Sequence, residues 1–245
     1  YLTMVSSIVE EIRKENPAFD ITKINYQDPK VYELFAKGKT EGIFQFESSG
    51  MKEKLNLLKP TEFNDIVAMN ALYRPGPMAQ IEVYVRRKNK EEQVVYPHPH
   101  LEKILKDTYG VIVYQEQIML IAVNFAHMSL NEADNMRRAV SKKKKEDLEY
   151  YGRIFVEKSV AAGYDIKVAK NLFDLIVTFA NYGFNKSHAV VYSMLAYRLA
   201  YLKVYYTKYF MTALLNNVIS SEKKINEYKQ ELTNLGINLV KPDVN

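Results

Sequence analysis

The sequence predicts a mainly α fold, a multi-helix arrangement with two short extended or strand segments. Near the start of the chain, apolar residues recur with the spacing of one helix face, at Met4, Val5, Ile8, Val9 and Ile12. Residues 129–132 (SLNE) match a capping box, in which a serine and a glutamate three positions later open a helix. A long helical pattern follows Ser187 and reaches about residue 218, with a break expected near Tyr206.

Proline, glycine and capping residues delimit the other elements. Helices are predicted over 2–14, 28–37, 50–58, 61–72, 115–127, 146–162, 165–182 and 221–235, and residues 82–90 read as a charged helix or loop. Residues 42–48 alternate with period two, which predicts a short strand or extended segment, and the apolar residues 110–114 are a second strand candidate. The tetrapeptide 74–77 (RPGP) is a stiff turn, because proline fixes its own φ and restricts the residue before it.

Composition limits the function classes. The 245 residues suffice for one large domain or two small ones, and 47% hydrophobic residues can fill a core. The net charge of +5 is compatible with a nucleic-acid partner without requiring one. Without cysteine there is no disulfide, thiolate zinc site or cysteine nucleophile, and a reducing cytosol fits. The most apolar window, 189–202, is short and contains Arg198, so it reads as a buried helix.

Two basic constellations are candidate phosphate sites. The first joins a pair of arginines to a lysine run, at Arg137, Arg138, Lys142, Lys143, Lys144 and Lys145. Arginine matches phosphate oxygens in pairs and lysine adds point charge, although a basic run taken alone is more often a solvated helix end. The second is the start of the long helix, with Asn185, Lys186, Ser187 and His188. Unpaired backbone N–H groups there attract phosphate, while the alternative is an ordinary N-cap.

Tyrosines and histidines carry weaker signals. Tyr197, Tyr201 and Tyr205 share one helix face, which favours a role in the core, whereas Tyr182 and Tyr192 remain candidates for contact with a ligand. The histidines lack zinc-binding spacing, and no Asp-x-Asp pair or phosphate-binding glycine loop is present. The sequence therefore predicts groups that hold phosphate, without a metal site of its own.

Together these segments resemble one family, the bacterial C-family replicative DNA polymerases of the DNA polymerase III alpha subunit type. Five motifs occur in the family's order, at 42–51 (GIFQFESSGM), 72–78 (LYRPGPM), 109–117 (YGVIVYQEQ), 136–139 (MRRA) and 182–188 (YGFNKSH). The resemblance runs from about residue 30 to residue 245. Departures from the family pattern are Ser141 in place of glycine, Val190 and Val191 in place of an alanine pair, and Thr207 in place of proline.

The resemblance implies the fingers domain of a DNA-directed DNA polymerase, a nucleotidyltransferase of DNA replication. Residues 1–40 would be a helical segment following the palm and 41–245 the fingers domain, with candidate subdomains 41–127 and 128–245. The family's catalytic aspartates lie in the palm. No catalytic residue or metal ligand is therefore expected within this chain, Mg²⁺ would be held by palm residues outside it, and the segment alone should be inactive.

The resemblance also implies partners and residue roles. The implied partners are template-primer DNA and an incoming dNTP. The sliding clamp and other replisome subunits would bind regions outside the chain. The implied location is the bacterial cytoplasm, and no membrane partner is expected. Residues implied to bind dNTP or phosphate are Arg74, Arg137, Arg138, Tyr182, Asn185, Lys186, Ser187 and His188. Arg74 would either contact phosphate or brace the pocket. The DNA-binding candidates Lys142, Lys143, Lys144 and Lys145 would contact the template strand or the triphosphate. The alternatives are a stand-alone helical nucleic-acid-binding module without catalysis, and a protein-interaction segment that docks a partner through its tyrosine face.

Overall fold

The computed structural model describes residues 1–142, 144–180 and 182–240. Lys143 of the predicted basic run, and residues 241–245 of the predicted extended end, therefore lie outside the described residues. The helices are α1 (Leu2–Glu15), α2 (Pro29–Ala36), α3 (Ser49–Leu58), α4 (Phe63–Leu72), α5 (Ala79–Lys88), α6 (Glu102–Leu105), α7 (Gln115–Phe125), α8 (Leu130–Lys142), α9 (Lys145–Ala161), α10 (Ile166–Ala180), α11 (Lys186–Tyr205), α12 (Thr207–Asn216) and α13 (Glu222–Asn234). The prediction of a mainly α fold is confirmed.

Local capping explains several helix boundaries. The Ser129 hydroxyl accepts the Glu132 N–H at 3.2 Å, and the Glu132 carboxylate accepts the Ser129 N–H at 2.7 Å, which confirms the capping box. Hydrogen bonds from Lys158 and then from Ser129 lower the pKa of Glu132 to about 2. The long helix breaks at Tyr206, as predicted, and Tyr206 adopts a non-helical φ of −132°. The boundary at the capping box follows from short-range hydrogen bonding, whereas Tyr206 makes no side-chain cap for α12.

The prediction of a short strand or extended segment over 42–48 is wrong. Gly42 and Gln45 have φ angles of 75° and 70°, which a pleated strand does not contain. The segment instead forms consecutive turns, in which Ile43 N–H donates to Thr40 O at 3.1 Å and Phe46 N–H donates to Ile43 O at 3.0 Å. Ile43 and Phe46, three positions apart, are both buried, so burial does not follow the period of two seen in the sequence.

The segment predicted as a strand over 110–114 is extended, with a single bridge. Tyr114 pairs in parallel with Phe184. The buried side chain of Gln117 accepts Val113 N–H at 2.9 Å and Tyr114 N–H at 3.0 Å through the same oxygen. Its amide nitrogen donates to Thr108 Oγ1 at 2.8 Å. A side chain thus supplies the acceptor that a neighbouring strand would have supplied.

The chain forms two compact units. Unit 1 contains residues 1–65 and 191–245, and unit 2 contains residues 66–190. These limits do not coincide with the boundaries at 41 and 128 expected from the family resemblance. The domain division over 1–40, 41–127 and 128–245 therefore stays a prediction.

Unit 1 is a helical unit with a buried lysine. In it α1 packs on α12, α2 on α3, and α12 on α13. The Lys203 side chain is only 2% exposed, and its ammonium group lies 2.7 Å from a Glu231 oxygen and donates to the carbonyl oxygens of Lys39 and Glu41. Because an unpaired buried charge is costly, these partners keep α13 attached to α11.

Unit 2 has a continuous apolar core. Helices α7, α8, α9 and α10 pack on one another around buried side chains that include Ile118, Phe125, Met136, Phe155 and Ile176. Within the described ranges, no helix combines the length and apolar content needed to cross a membrane. The candidate site described below lies at the starts of α7 and α11 and on the polar face of α8.

Substitution of Gln117 tests how the extended segment is held. Gln117→Leu keeps the volume but leaves two buried backbone N–H groups without their acceptor. We expect it to lower the free energy of unfolding of the 245-residue chain by at least about 1–3 kcal/mol. Urea unfolding followed by circular dichroism measures this, with the exposed Gln93→Leu as control. Equal midpoints for the two variants would contradict the role given to Gln117.

Candidate functional site

Arg74 is committed to the protein backbone. Its Nε donates to Ala71 O at 2.8 Å and its Nη2 donates to Tyr182 O at 2.9 Å. The guanidinium carbon lies 4.3 Å from the centre of the Phe184 ring, a cation–π contact. Burial lowers the pKa of Arg74. The geometry therefore makes Arg74 a brace for residues 182–184, one of the two roles considered from the sequence.

The proline turn after Arg74 packs on Tyr182. Gly76 has a φ of 107°, and a Cβ atom added to it would lie 2.4 Å from the Tyr182 ring. Only glycine avoids both the backbone strain and the steric overlap. Tyr182 as a whole residue is 38% exposed, so it contacts the turn and also reaches solvent.

Residues 182–188 are held by backbone pairing. Phe184 N–H donates to Val113 O at 3.0 Å, and Gln115 N–H donates to Phe184 O at 3.0 Å. The His188 ring meets the Phe184 ring edge-on, with centroids 5.4 Å apart. The start of α11 is therefore tied to the start of α7 through Phe184.

Two of the N–H groups in the first turn of α11 are already paired. Both carboxylate oxygens of Glu116 accept Lys186 N–H at 3.0 Å, and Asn185 Oδ1 accepts His188 N–H at 2.8 Å. The N-cap alternative for Asn185 is thus the one observed. The expectation that these N–H groups are open to phosphate is wrong for Lys186 and His188, because carboxylate and amide oxygens of the same chain occupy them.

The side chains at the start of α11 point to solvent or to a ring. Lys186, Ser187 and His188 are exposed. The Lys186 ammonium group lies 5.3 Å from the centre of the buried Tyr114 ring, close enough for a cation–π contact. Lys186 therefore combines a fixed backbone with a side chain that a ligand can reach.

The two arginines of α8 share one carboxylate but differ in exposure. Arg137 donates from Nε and Nη2 to Asp134 Oδ1 at 3.0 and 2.7 Å, and from Nη1 to Gln115 Oε1 at 3.2 Å. Arg138 Nη2 lies 2.7 Å from Asp134 Oδ2. Hydrogen bonding to Arg137, and then the pairing with Arg138, lowers the pKa of Asp134. The Arg137 side chain is 18% exposed and that of Arg138 is 66% exposed, so Arg138 is the more accessible cation.

Three consecutive residues at the start of α7 connect α8, the start of α11 and the extended segment before α7. Gln115 accepts from Arg137, Glu116 accepts from Lys186, and Gln117 holds the extended segment before α7. The YQEQ motif is part of the family resemblance, but the sequence predicted no role for Gln115 or Glu116. The available signal was the position of three polar residues directly after an apolar run, where a helix begins.

The lysine run is exposed where it is described. Lys142, Lys144 and Lys145 lie at the end of α8 and the start of α9, and Lys145 is 3.9 Å from Glu149. The Ser141 hydroxyl, at the position where the resemblance led us to expect glycine, donates to Arg137 O at 2.8 Å and reaches Ala180 O at 3.2 Å. This bonding fixes the end of α8 from which the lysines project.

The tyrosines of α11 within unit 1 have mixed roles. Tyr197 is buried, donates to Asn25 O at 2.9 Å and accepts from Asp28 N–H at 3.1 Å, which confirms the prediction that it belongs to the core. Burial raises the pKa of Tyr197 to about 12. Tyr205 is exposed, and Tyr192 stacks on Phe44 with centroids 5.4 Å apart.

The described residues do not suit a divalent metal ion. Across 1–142, 144–180 and 182–240, no three side chains of His, Cys, Asp or Glu are grouped so that they could hold a metal. Asp134 and Glu116, the carboxylates closest to the arrangement described above, are engaged by Arg137, Arg138 and the Lys186 backbone. The chemistry available here is that of cations that bind an anion.

Comparison with known proteins identifies the family. The sequence model of the bacterial DNA polymerase III alpha subunit finger domain matches residues 1–163. The chain belongs to this family. It is 53% identical over all 245 residues to the DNA polymerase III subunit alpha of Bacillus subtilis (strain 168), and 48% identical to that of Staphylococcus aureus (strain COL). This finger-domain chain spans 22% and 23% of those two relatives, about a fifth of their length.

The contact between Gly76 and Tyr182 gives a prediction with a matched control. Gly76→Ala and Gly163→Ala both place a side chain at a positive φ, which costs about 1–3 kcal/mol. Only Gly76→Ala also meets a ring, since nothing lies within 4 Å of a Cβ atom at Gly163. We expect a larger loss in the free energy of unfolding for Gly76→Ala, measured by urea unfolding of the 245-residue chain. Equal losses would show that Tyr182 does not pack on the turn.

Proposed function

We propose that this chain acts as the fingers of a bacterial replicative DNA polymerase and binds the triphosphate of an incoming dNTP. One observation carries the proposal. A continuous series of contacts runs from Arg138 through Asp134, Arg137 and Gln115 to the start of α7, where Glu116 binds the Lys186 backbone. It fixes the backbone around two cations, Arg138 and Lys186, whose side chains remain exposed.

The chemistry of nucleotide addition suits such cations. The primer 3′-hydroxyl attacks the α-phosphorus of the dNTP, the bond to the bridging oxygen breaks, and pyrophosphate leaves with the electron pair. Negative charge accumulates on the phosphate oxygens, and preorganised positive groups stabilise it. Each charged hydrogen bond contributes roughly 1.5–3 kcal/mol. Mg²⁺ would be held by palm carboxylates outside this chain, because the described residues offer no suitable set.

The structure suggests a division of roles among the predicted site residues. Arg138 and Lys186 are proposed to contact phosphate. Arg137 donates to Asp134 and Gln115 and is proposed to position these two cations. Arg74 and Tyr182 are proposed to brace the segment before α11. Asn185 caps α11, while Ser187 and His188, both exposed on its first turn, would lie near the phosphates and the base or sugar.

The lysine run is proposed to contact template-primer DNA. Lys142, Lys144 and Lys145 are exposed, and the same role is proposed for Lys143. Lysines on a surface bind phosphate without regard to sequence, and this binding weakens as salt increases. This feature alone would also suit a helical nucleic-acid-binding module without catalysis. Such a module would bind DNA equally well with or without a dNTP.

The wider context also belongs to the proposal. The similarity to DNA polymerase III subunit alpha extends over the whole chain and favours a polymerase over a stand-alone module. In that setting the full-length subunit would act in the bacterial cytoplasm. It would meet the sliding clamp and other replisome subunits through regions outside this chain.

Replacement of Arg138 tests the phosphate role. In the full-length polymerase, Arg138→Ala removes one charged hydrogen bond to the triphosphate and should lower kcat/KM for dNTP about 10- to 100-fold. Binding of primed DNA should change little. Single-nucleotide incorporation kinetics and fluorescence anisotropy on primed DNA measure the two quantities.

Lys167→Ala is the matched control, because Lys167 is exposed on α10 of the same unit and has no proposed role. Unchanged kcat and KM for Arg138→Ala would refute the assignment of Arg138. Primed-DNA binding by the wild-type polymerase that the correct dNTP does not strengthen would favour the module without catalysis.

A further inference from the structure

Glu116 occupies an unusual position at the start of α7. Its two carboxylate oxygens both accept the N–H of Lys186, the first residue of α11, which lies 70 positions further along the chain. Glu116 is also in the first turn of its own helix. One carboxylate therefore meets the positive ends of two helices, where a negative charge is stabilising. The side chain is half-buried.

This contact constrains Lys186 while leaving its ammonium group available. The backbone of Lys186 is held by Glu116, and its neighbours are held by Asn185, which caps His188, and by Phe184, which pairs with Val113 and Gln115. The Lys186 side chain then extends over the Tyr114 ring. A lysine has four rotatable side-chain bonds, so a fixed backbone and a ring surface remove much of its conformational freedom before a ligand arrives.

We propose that Glu116 is a positioning residue that acts through Lys186, an inference that rests on the proposed function. It anchors the start of α11 so that the Lys186 ammonium group is presented to the triphosphate, while it makes no contact with the nucleotide. Because Glu116 already occupies the Lys186 N–H, Lys186 would reach the phosphate through its side chain. An acidic residue thereby supports anion binding instead of opposing it.

A competing role predicts the opposite result. If the triphosphate displaced Glu116 from the helix start, the carboxylate would compete with phosphate, and its removal would strengthen dNTP binding. If Glu116 positions Lys186, its removal weakens dNTP binding. The sign of the change in KM for dNTP therefore separates the two roles.

The test is a double-mutant cycle in the full-length polymerase. Glu116→Ala should raise the KM for dNTP about 3- to 30-fold, corresponding to the loss of one helix cap, with a smaller change in kcat. Glu116→Gln, which keeps an oxygen acceptor, should recover most of the wild-type KM. In a Lys186→Ala background, Glu116→Ala should have little further effect, because the two residues act as one unit.

Controls distinguish positioning from a general loss of structure. Glu157→Ala removes an exposed acid from α9 and should leave both constants unchanged. Primed-DNA binding and circular dichroism report whether each variant is folded. If Glu116→Ala does not fold, the cycle is run with Glu116→Gln, for which the proposal requires a small rise in KM that disappears in the Lys186→Ala background.

The outcomes also separate this inference from the proposed function. A KM that rises for Lys186→Ala but stays unchanged or falls for Glu116→Ala overturns the role of Glu116 and leaves the phosphate role of Lys186 intact. A fully additive effect of the two substitutions also overturns it. An unchanged KM for Lys186→Ala removes the phosphate role of Lys186, and the inference about Glu116 fails with it.

Discussion

The candidate site depends on the backbone pairing of Phe184 with the segment that precedes α7. Phe184 exchanges hydrogen bonds with Val113 and Gln115, and through them the start of α11 is aligned with the start of α7. The pairing is only one bridge long, too short to be stable by itself. Gln117 and Arg74 supply what a longer ladder would supply. Gln117 holds the segment before α7 through its side-chain amide. Arg74 holds the segment before α11 through the Tyr182 carbonyl and the Phe184 ring.

Carboxylates organise the cations instead of cancelling them. Asp134 holds Arg137 and Arg138, and Glu116 holds the backbone of Lys186. Without these partners, cations gathered at one place would repel one another and would be hard to keep in position. With them, Arg137 is fixed and half-buried, whereas Arg138 and Lys186 keep exposed charge. A surface prepared in this way binds an anion with a smaller loss of conformational freedom.

The same physical principle operates in unit 1 for a structural purpose. Lys203 is buried with Glu231 and with two backbone carbonyl groups that accept its hydrogen bonds. A buried and surrounded lysine of this kind binds segments of the chain together, while an exposed lysine on a fixed backbone, such as Lys186, is available to a ligand. The difference between the two lies in burial and not in the residue type.

Sequence alone determined the helical character of the chain and most helix boundaries, because caps, glycines and prolines act within a few residues. The Ser129–Glu132 capping box is an example. Local pattern was misleading at 42–48, where two positive φ angles turn an alternating segment into consecutive turns. The motifs around Arg74, Arg137, Arg138 and Lys186 also stand out in the sequence, together with their family resemblance.

Only the tertiary structure decided which partners each motif contacts and which of its side chains stay exposed. Glu116 and Lys186 lie 70 positions apart, so no local pattern shows that one caps the other. Arg137 and Arg138 are adjacent and chemically identical, yet the first contacts Gln115 and is half-buried, whereas the second stays exposed. Residue type and spacing determine which interactions are possible, and long-range packing selects among them, because burial and hydrogen-bond partners exist only once the chain has folded.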